Sequence, residues 1–335
     1  MKIKFFHLPT LILGYKYPVD LSKEKLYPAI KSAGPYQPLK NEVRGAIISK
    51  KIEEDIESFK NYFEAEFKGL FKKEIKLDIR QKLDNIGNYQ IIIWVVCDES
   101  DYINAKNQKR ISKVPIQIVR KEKINSNNKG YNFLISNLCL NVYCKLGFIP
   151  WIIEPNYDAY VVGIKKKKRN NNFVYFVKVF KNDGYLVFKD GPSSNFKELL
   201  SKIPRYTNKF SFHFSVKPSN DEISAIEENF RIYKYAIIYI NLYSNFLMFD
   251  LRNEWYMPES GYFIRLSGNR GLILSDGLFN SKRSKPGFPK VLDVNILKSK
   301  INFNEYEKLF EQIYHFRYVN YKSFFSFPSI PAEIT

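Results

Sequence analysis

Tyr89-Gln90-Ile91-Ile92-Ile93-Trp94-Val95-Val96-Cys97 and, sixteen residues on, Val114-Pro115-Ile116-Gln117-Ile118-Val119 are the two stretches that decide the fold. The first is an almost unbroken apolar run, the pattern of a parallel strand covered on both faces. Asp98-Glu99-Ser100 follows it with helix N-cap residues. A helix is therefore predicted over about 101–112, carrying Tyr102, Lys106, Lys109 and Arg110. Residues 114–119 then read as a second short strand. Strand, helix, strand in this order is a βαβ unit, the building block of a parallel sheet. A further helix over about 130–146 stops at Gly147, which suits a left-handed helix end.

The same reading extends in both directions. Upstream, residues 43–49 make a short buried strand, and a helix is predicted over about 51–73. Ile52, Ile56, Phe59, Phe63, Phe67 and Leu70 recur there at steps of three and four, giving one apolar face. The rest of residues 1–50 is irregular and strand-like, punctuated by Pro9, Pro18, Pro28, Pro35 and Pro38. Past Pro150 the pattern changes to a β-meander: strands over 159–165, 173–180 and 185–189, with turns at 166–172 and 181–184. A helix over 195–203, a strand over 210–215 and a helix over 221–232, capped by Asn220 or Asp221, come next. Strands over 235–241, 246–250 and 261–266 and a closing helix over 304–318 complete the chain. A length of 335 residues suits two domains at roughly 150 residues each.

Composition narrows the function. Lys plus Arg number 53 and Asp plus Glu 34, a net charge of +19. That favours a polyanionic partner, nucleic acid ahead of an acidic membrane surface. A chain rich in Lys, Asn, Ile, Phe and Tyr can also owe part of its charge to A/T-rich codons. Hydrophobic residues at 45% and aromatics at 16% exclude wholesale disorder. Three cysteines, Cys97, Cys139 and Cys144, make no disulfide framework and fit a reducing interior, hence the cytoplasm. No apolar run reaches the roughly 20 residues that span a bilayer. The basic, then apolar, start of the chain is broken by Pro9 and reads as a strand, not a signal peptide. His7, His213 and His315 stand far apart, and neither a Walker A motif nor a G-x-G-x-x-G is present. No independent case for an enzyme emerges.

The chemistry concentrates in residues 98–147. Tyr102 and Lys106 lie four apart and share a helix face. Gln117 opens the next strand, and Lys145 sits in Asn137-Leu138-Cys139-Leu140-Asn141-Val142-Tyr143-Cys144-Lys145-Leu146-Gly147. Two cations, an amide and a phenol converging at a helix start suit a phosphate, because lysines neutralise charge, the amide and phenol give directed hydrogen bonds and the helix N-terminus adds its dipole. The tyrosine ring can also stack on a base. This set resembles, in order and spacing, the Tyr-Lys-Gln-Lys group with which the MID domain of Argonaute proteins holds the 5′-phosphate of a guide strand. Asn141 stands where that family often has a further Lys, and is an additional candidate guide contact.

The second half extends the resemblance. Ile149-Pro150-Trp151 is similar to the entry into a PIWI domain, which has an RNase H-like fold, and Val161-Val162-Gly163-Ile164 to its first strand. Phe212-His213-Phe214-Ser215 with Asp221-Glu222-Ile223, then Tyr235 to Asn241, Phe249-Asp250, Pro258 and Gly261-Tyr262-Phe263, continue the family's order. Phe316-Arg317-Tyr318-Val319-Asn320-Tyr321-Lys322-Ser323 and Pro328-Ser329-Ile330-Pro331 resemble the closing helix and its loop. Gly34-Pro35-Tyr36 resembles the linker before MID in short prokaryotic members. The resemblance implies an α/β chain with a linker-like segment at 1–40, a Rossmann-like MID domain at 41–150 and an RNase H-like PIWI domain at 151–335. It leaves no room for N-terminal and PAZ domains.

Slicing members of that family hold two divalent metals on a carboxylate-rich tetrad. Here Lys165 stands at the first-strand position where the family places Asp, and an ammonium cannot ligate a metal. Ser215 falls at the third position, and the fourth belongs beyond Pro331, close to the end of the sequence. Asp190 is a less suitable substitute, since its order fits the meander. The resemblance therefore implies a short, catalytically inactive prokaryotic Argonaute, with no metal for catalysis and Mg2+ as a candidate ion at the guide 5′-phosphate. It would bind a small guide, RNA ahead of DNA, pair it with a complementary target and switch on a separate effector protein carrying an APAZ-like region, touching a membrane only through a partner. That would make it part of an antiviral, abortive-infection defence. The alternative is a scaffold subunit that no longer binds guides.

Overall fold

The computed structural model describes residues 2–83, 86–170, 172–249, 258–275 and 291–319. They form two compact units, one of residues 11–151 and one of residues 1–10 with those from 152 onward. The chain opens on β1 (Lys2–Phe5), which belongs to the second unit.

The first unit begins with β2 (Leu11–Ile12) and β3 (Pro18–Val19), which pair antiparallel, and α1 (Leu26–Ala33). A helix here was not expected. Pro28 lies in its first turn, where proline's missing N–H costs nothing. Residues 11–40, expected as linker-like, fold into the unit: Tyr36 and Gln37 donate backbone N–H groups to Pro150 and Ile149 at 2.8 and 3.0 Å. Next come β4 (Val43–Ile48), α2 (Glu54–Phe71), β5 (Ile75–Arg80), β6 (Ile91–Val96), α3 (Glu99–Ile111), β7 (Ile116–Arg120) and α4 (Tyr131–Lys145).

The four strands β4 to β7 make a parallel sheet in the order β5-β4-β6-β7, a Rossmann-like arrangement. Every residue of β6 is buried, as its apolar run requires. Ile92, Trp94 and Val96 pack with Ala46, Ile48 and Ala105 of α3, so the alternate residues face the other side. α2 and α4 pack together there, through Phe59, Phe63, Phe67 and Phe71 at four-residue steps and the Tyr143 ring stacked 4.0 Å from Phe71. Ile52, expected on that face, precedes α2 and is exposed.

The second unit continues with β8 (Ile152–Ile153), β9 (Tyr160–Arg169), β10 (Asn172–Phe180), β11 (Leu186–Ser193), α5 (Phe196–Ser201), β12 (Lys209–Phe214), α6 (Asn220–Asn229), β13 (Lys234–Asn241), β14 (Tyr262–Arg265), β15 (Arg270–Leu274), β16 (Val291–Ser299) and α7 (Tyr306–His315). Its nine-stranded sheet runs β1-β14-β15-β16-β13-β12-β9-β10-β11. β9, β12 and β13 are parallel, and β10 is antiparallel to both β9 and β11. That is the five-stranded RNase H-like core, with antiparallel strands added on one side.

Several boundaries differ from the sequence reading. β9 and β10 pair from Val161↔Phe180 out to Arg169↔Asn172, so the expected turn over 166–172 is mostly strand. Lys166 lies within the extended hairpin with its ammonium turned inward to Glu222 of α6 at 2.6 Å. α6 is capped by Ser219, not Asn220 or Asp221. Ser219 and Glu222 form a reciprocal capping box, at 3.3 and 2.8 Å. Residues 246–249 form no strand. Asp250, the segment from Asn320 to Ser323, Pro328 to Pro331 and the end of the chain lie outside the described residues.

Candidate nucleic-acid interface

Tyr102 and Lys106 occupy the first and second turns of α3, with the Lys106 ammonium 5.9 Å from the Tyr102 ring centroid. Lys106 is exposed, and Tyr102 is half-buried against the apolar layer between α3 and the sheet. Gln117 is the second residue of β7, and Lys145 lies in the last turn of α4. A parallel strand followed by an antiparallel helix returns the helix end to the strand start. Lys145 accordingly donates to the Gln117 side-chain oxygen at 2.7 Å and to the Ile116 carbonyl at 2.7 Å. Gln117 gives its own amide N–H to the Ile118 carbonyl at 3.0 Å. α3 packs on β7, so both pairs border the same strand. The structure thus brings Gln117 and Lys145 into contact and Tyr102 and Lys106 into contact.

Asn141 lies one turn before Lys145 on the same helix face, with its side-chain N–H given to the Asn137 carbonyl at 2.9 Å. One expectation needs correction. The start of α3 is negatively charged and does not favour an anion: Asp98 caps it, accepting from the Asp101 N–H at 2.7 Å, and Glu99 and Asp101 put further carboxylates in the first turn. Bonds from the Ser100 hydroxyl, the Asp101 N–H and Lys50 pull the Asp98 carboxyl down to about 2. Any phosphate at this set is held by side chains, not by a helix dipole.

In the second unit Ile164 of β9 pairs with Phe214 of the parallel β12. Lys165, the next residue of β9, and Ser215, the first residue past the end of β12, directly follow that pair. Val162 and Ile164 face the core under α5 and α6, so Gly163 and Lys165 face the other way. Burial, and then Lys167, lower the Lys165 pKa. Asp190 sits on β11, two strands away from β9, 3.5 Å from Lys202. Among the described residues no group of three His, Cys, Asp or Glu could hold a metal ion. His213 is fully buried, its Nε2 2.6 Å from the Ser211 hydroxyl, and His315 Nε2 lies 3.0 Å from the His7 carbonyl. Both are core contacts.

Sequence reasoning missed the Lys166–Glu222 pair, in which Glu222 also accepts from Tyr175 at 2.6 Å. Burial pushes the Glu222 carboxyl up, but bonds from Lys166, Tyr175 and the Ser219 N–H outweigh it and leave it below the usual range. The capping-box spacing of Ser219 and Glu222 was the available signal.

No protein-family model matches the chain. A Piwi protein of Archaeoglobus fulgidus is 23% identical over 255 residues, 64% of this chain and 59% of the relative. A structure of Aquifex aeolicus Argonaute superposes with a TM-score of 0.72 at 19% identity, covering 99% of this chain and 53% of that one. This chain has an Argonaute fold. A structure of Clostridium butyricum Argonaute bound to a guide DNA and a 19-mer target DNA superposes with a TM-score of 0.71 at 15% identity, over 99% of this chain and 51% of that one. The chain spans between half and three fifths of the length of these Argonaute-like relatives. In their terms its first unit has the MID fold and its second the PIWI fold. No helix among the described residues is long and apolar enough to cross a membrane.

Proposed function

We propose that this chain binds the 5′-phosphorylated end of a small guide nucleic acid through Tyr102, Lys106, Gln117 and Lys145, and recognises a complementary target without cutting it. The observation that carries the reading is the Lys145–Gln117 contact of 2.7 Å, made across 28 residues of sequence. It sets an ammonium and an amide side by side on the strand that α3 packs against. Exchanging the neutral Ile116 carbonyl for a phosphate oxygen pairs the Lys145 ammonium with an opposite charge instead of a dipole. Tyr102 supplies a ring for the terminal base, and Lys106 a second cation. The four side chains include no carboxylate and two ammonium groups, so by themselves they do not fit Mg2+, and no step here depends on one.

The non-slicing part rests on Lys165 and Ser215, which stand at the first and third catalytic positions and supply no carboxylate. A guide-loaded chain of this kind needs another protein to act on its signal, and we assign that role to a separate effector in an antiviral defence working in the cytoplasm. Base pairing supplies sequence choice while the protein grips the backbone, as in other guided effectors.

The test is equilibrium binding of 5′-phosphorylated and 5′-hydroxyl guides, RNA and DNA, to the wild-type chain and to Lys106→Ala and Lys145→Ala. Selective loss of the phosphorylated guide supports the assignment. Equal loss of both shows that the phosphate lies elsewhere.

A further inference from the structure

α3 has two flanks. At 100° per residue Tyr102 and Lys106 fall on one, and Asn104 and Gln108 on the other, with buried Asp101 and Ala105 between them. The second flank borders a cavity of about 240 Å³ that the guide-end residues do not line. It opens past the carboxyl ends of β4, β5 and β6. There the strand order reverses: β5 lies on one side of β4, β6 and β7 on the other. Ligands of open parallel sheets bind at such a switch point.

The lining sets the ligand's chemistry. Ile48, Leu83 and Trp94 provide apolar surface. Gln81, Asn104 and Gln108 border it with side-chain amides, each able to donate and to accept. Charge is nearly balanced: Lys50 is held at 3.2 Å by Asp98 and lies 4.0 Å from Asp101, leaving Lys82. Neither neighbouring helix start welcomes an anion. Asp98 caps α3, and α2 begins with Glu54, Asp55 and Glu57 after Glu53. The volume is below the roughly 300–1,000 Å³ of drug-sized sites.

We propose that this cavity takes a single neutral nucleobase, either as a free nucleoside or as an unpaired base of a bound strand. The flat ring lies against the apolar residues and its polar edge meets the amides. The assignment does not depend on the guide-end reading, since no phosphate is involved.

The test titrates adenosine, guanosine, cytidine and uridine into the full chain by calorimetry and ligand-observed NMR, with Asn104→Leu and Gln108→Leu alongside. Asn104 is exposed and Gln108 half-buried, and far-UV circular dichroism checks that each variant is folded. Saturable binding of at least one nucleoside, weakened about tenfold or more by either variant, is expected. In a Lys106→Ala/Lys145→Ala chain the matching 5′-monophosphate binds no tighter than the nucleoside. Saturating the protein with a 5′-hydroxyl single strand then names the source: displacement of the nucleoside supports a strand base, and persistence a free nucleoside. Absence of saturable binding, binding unchanged in both leucine variants, or clear preference for the monophosphate in the double variant overturns the proposal.

Discussion

Lys145 is the residue through which β7 and α4 meet, and losing its ammonium removes one charge-assisted bond from any phosphate there. Such bonds contribute about 1.5–3 kcal/mol. Lys145→Ala is therefore expected to weaken a 5′-phosphorylated guide by roughly 10–100-fold and a 5′-hydroxyl guide much less, read by filter binding. The residue types and the four-residue step from Tyr102 to Lys106 were legible in the sequence. The meeting of Gln117 and Lys145 was expected from the resemblance, not from spacing along the chain, because it is the return of α4 along β7 that creates it. Glu222 is a second residue whose role needed the fold. Its pair with Lys166 is almost fully shielded, with side-chain exposures of 9% and 6%. Glu222→Gln leaves an uncompensated ammonium and is expected to cost about 3 kcal/mol in urea unfolding. Because the Glu222 carboxyl is lowered in the folded chain, its stabilisation is complete above the ordinary glutamate pKa and is lost as pH falls through the folded value. The wild-type melting temperature should fall across that acidic window, and the gap to Glu222→Gln should close.

Elements with strong patterning were read nearly to their ends: α2, β6 and α4 fall within three residues of expectation. β5 was missed. Ile75-Lys76-Leu77-Asp78-Ile79-Arg80 alternates and is half-exposed, as an edge strand is, and carries no long apolar run. Its position matters, since β5 beside β4 is what makes the strand order reverse. Gly45 ties the three strands together. A Cβ there would come within 2.7 Å of Leu77 and 2.8 Å of Ile91. Gly45→Val is expected to destabilise the chain by about 1–3 kcal/mol through overpacking, seen as a lower urea midpoint. The β9–β10 hairpin was underestimated because the charged and Asn-rich stretch 166–172 reads as a turn, whereas Lys166 turns its ammonium inward to Glu222.

At the scale of the whole molecule, a net charge of +19 matters only if phosphates meet it. Guide affinity should fall steeply with salt, by at least about tenfold between roughly 50 and 200 mM, as counterion release requires. No cut product should appear from a paired target with Mg2+ or Mn2+, because Lys165 is a cation and Ser215 brings no carboxylate to hold a metal pair. The central claim is guide loading through a 5′-phosphate, and nucleic acid copurifying with the full chain from its own host tests it most directly. The fragments are 5′-end labelled with and without prior phosphatase. Short fragments of uniform length that label only after phosphatase are the expected result. Protein free of short fragments, with no affinity for added 5′-phosphorylated guides, would contradict the account and point to a scaffold subunit.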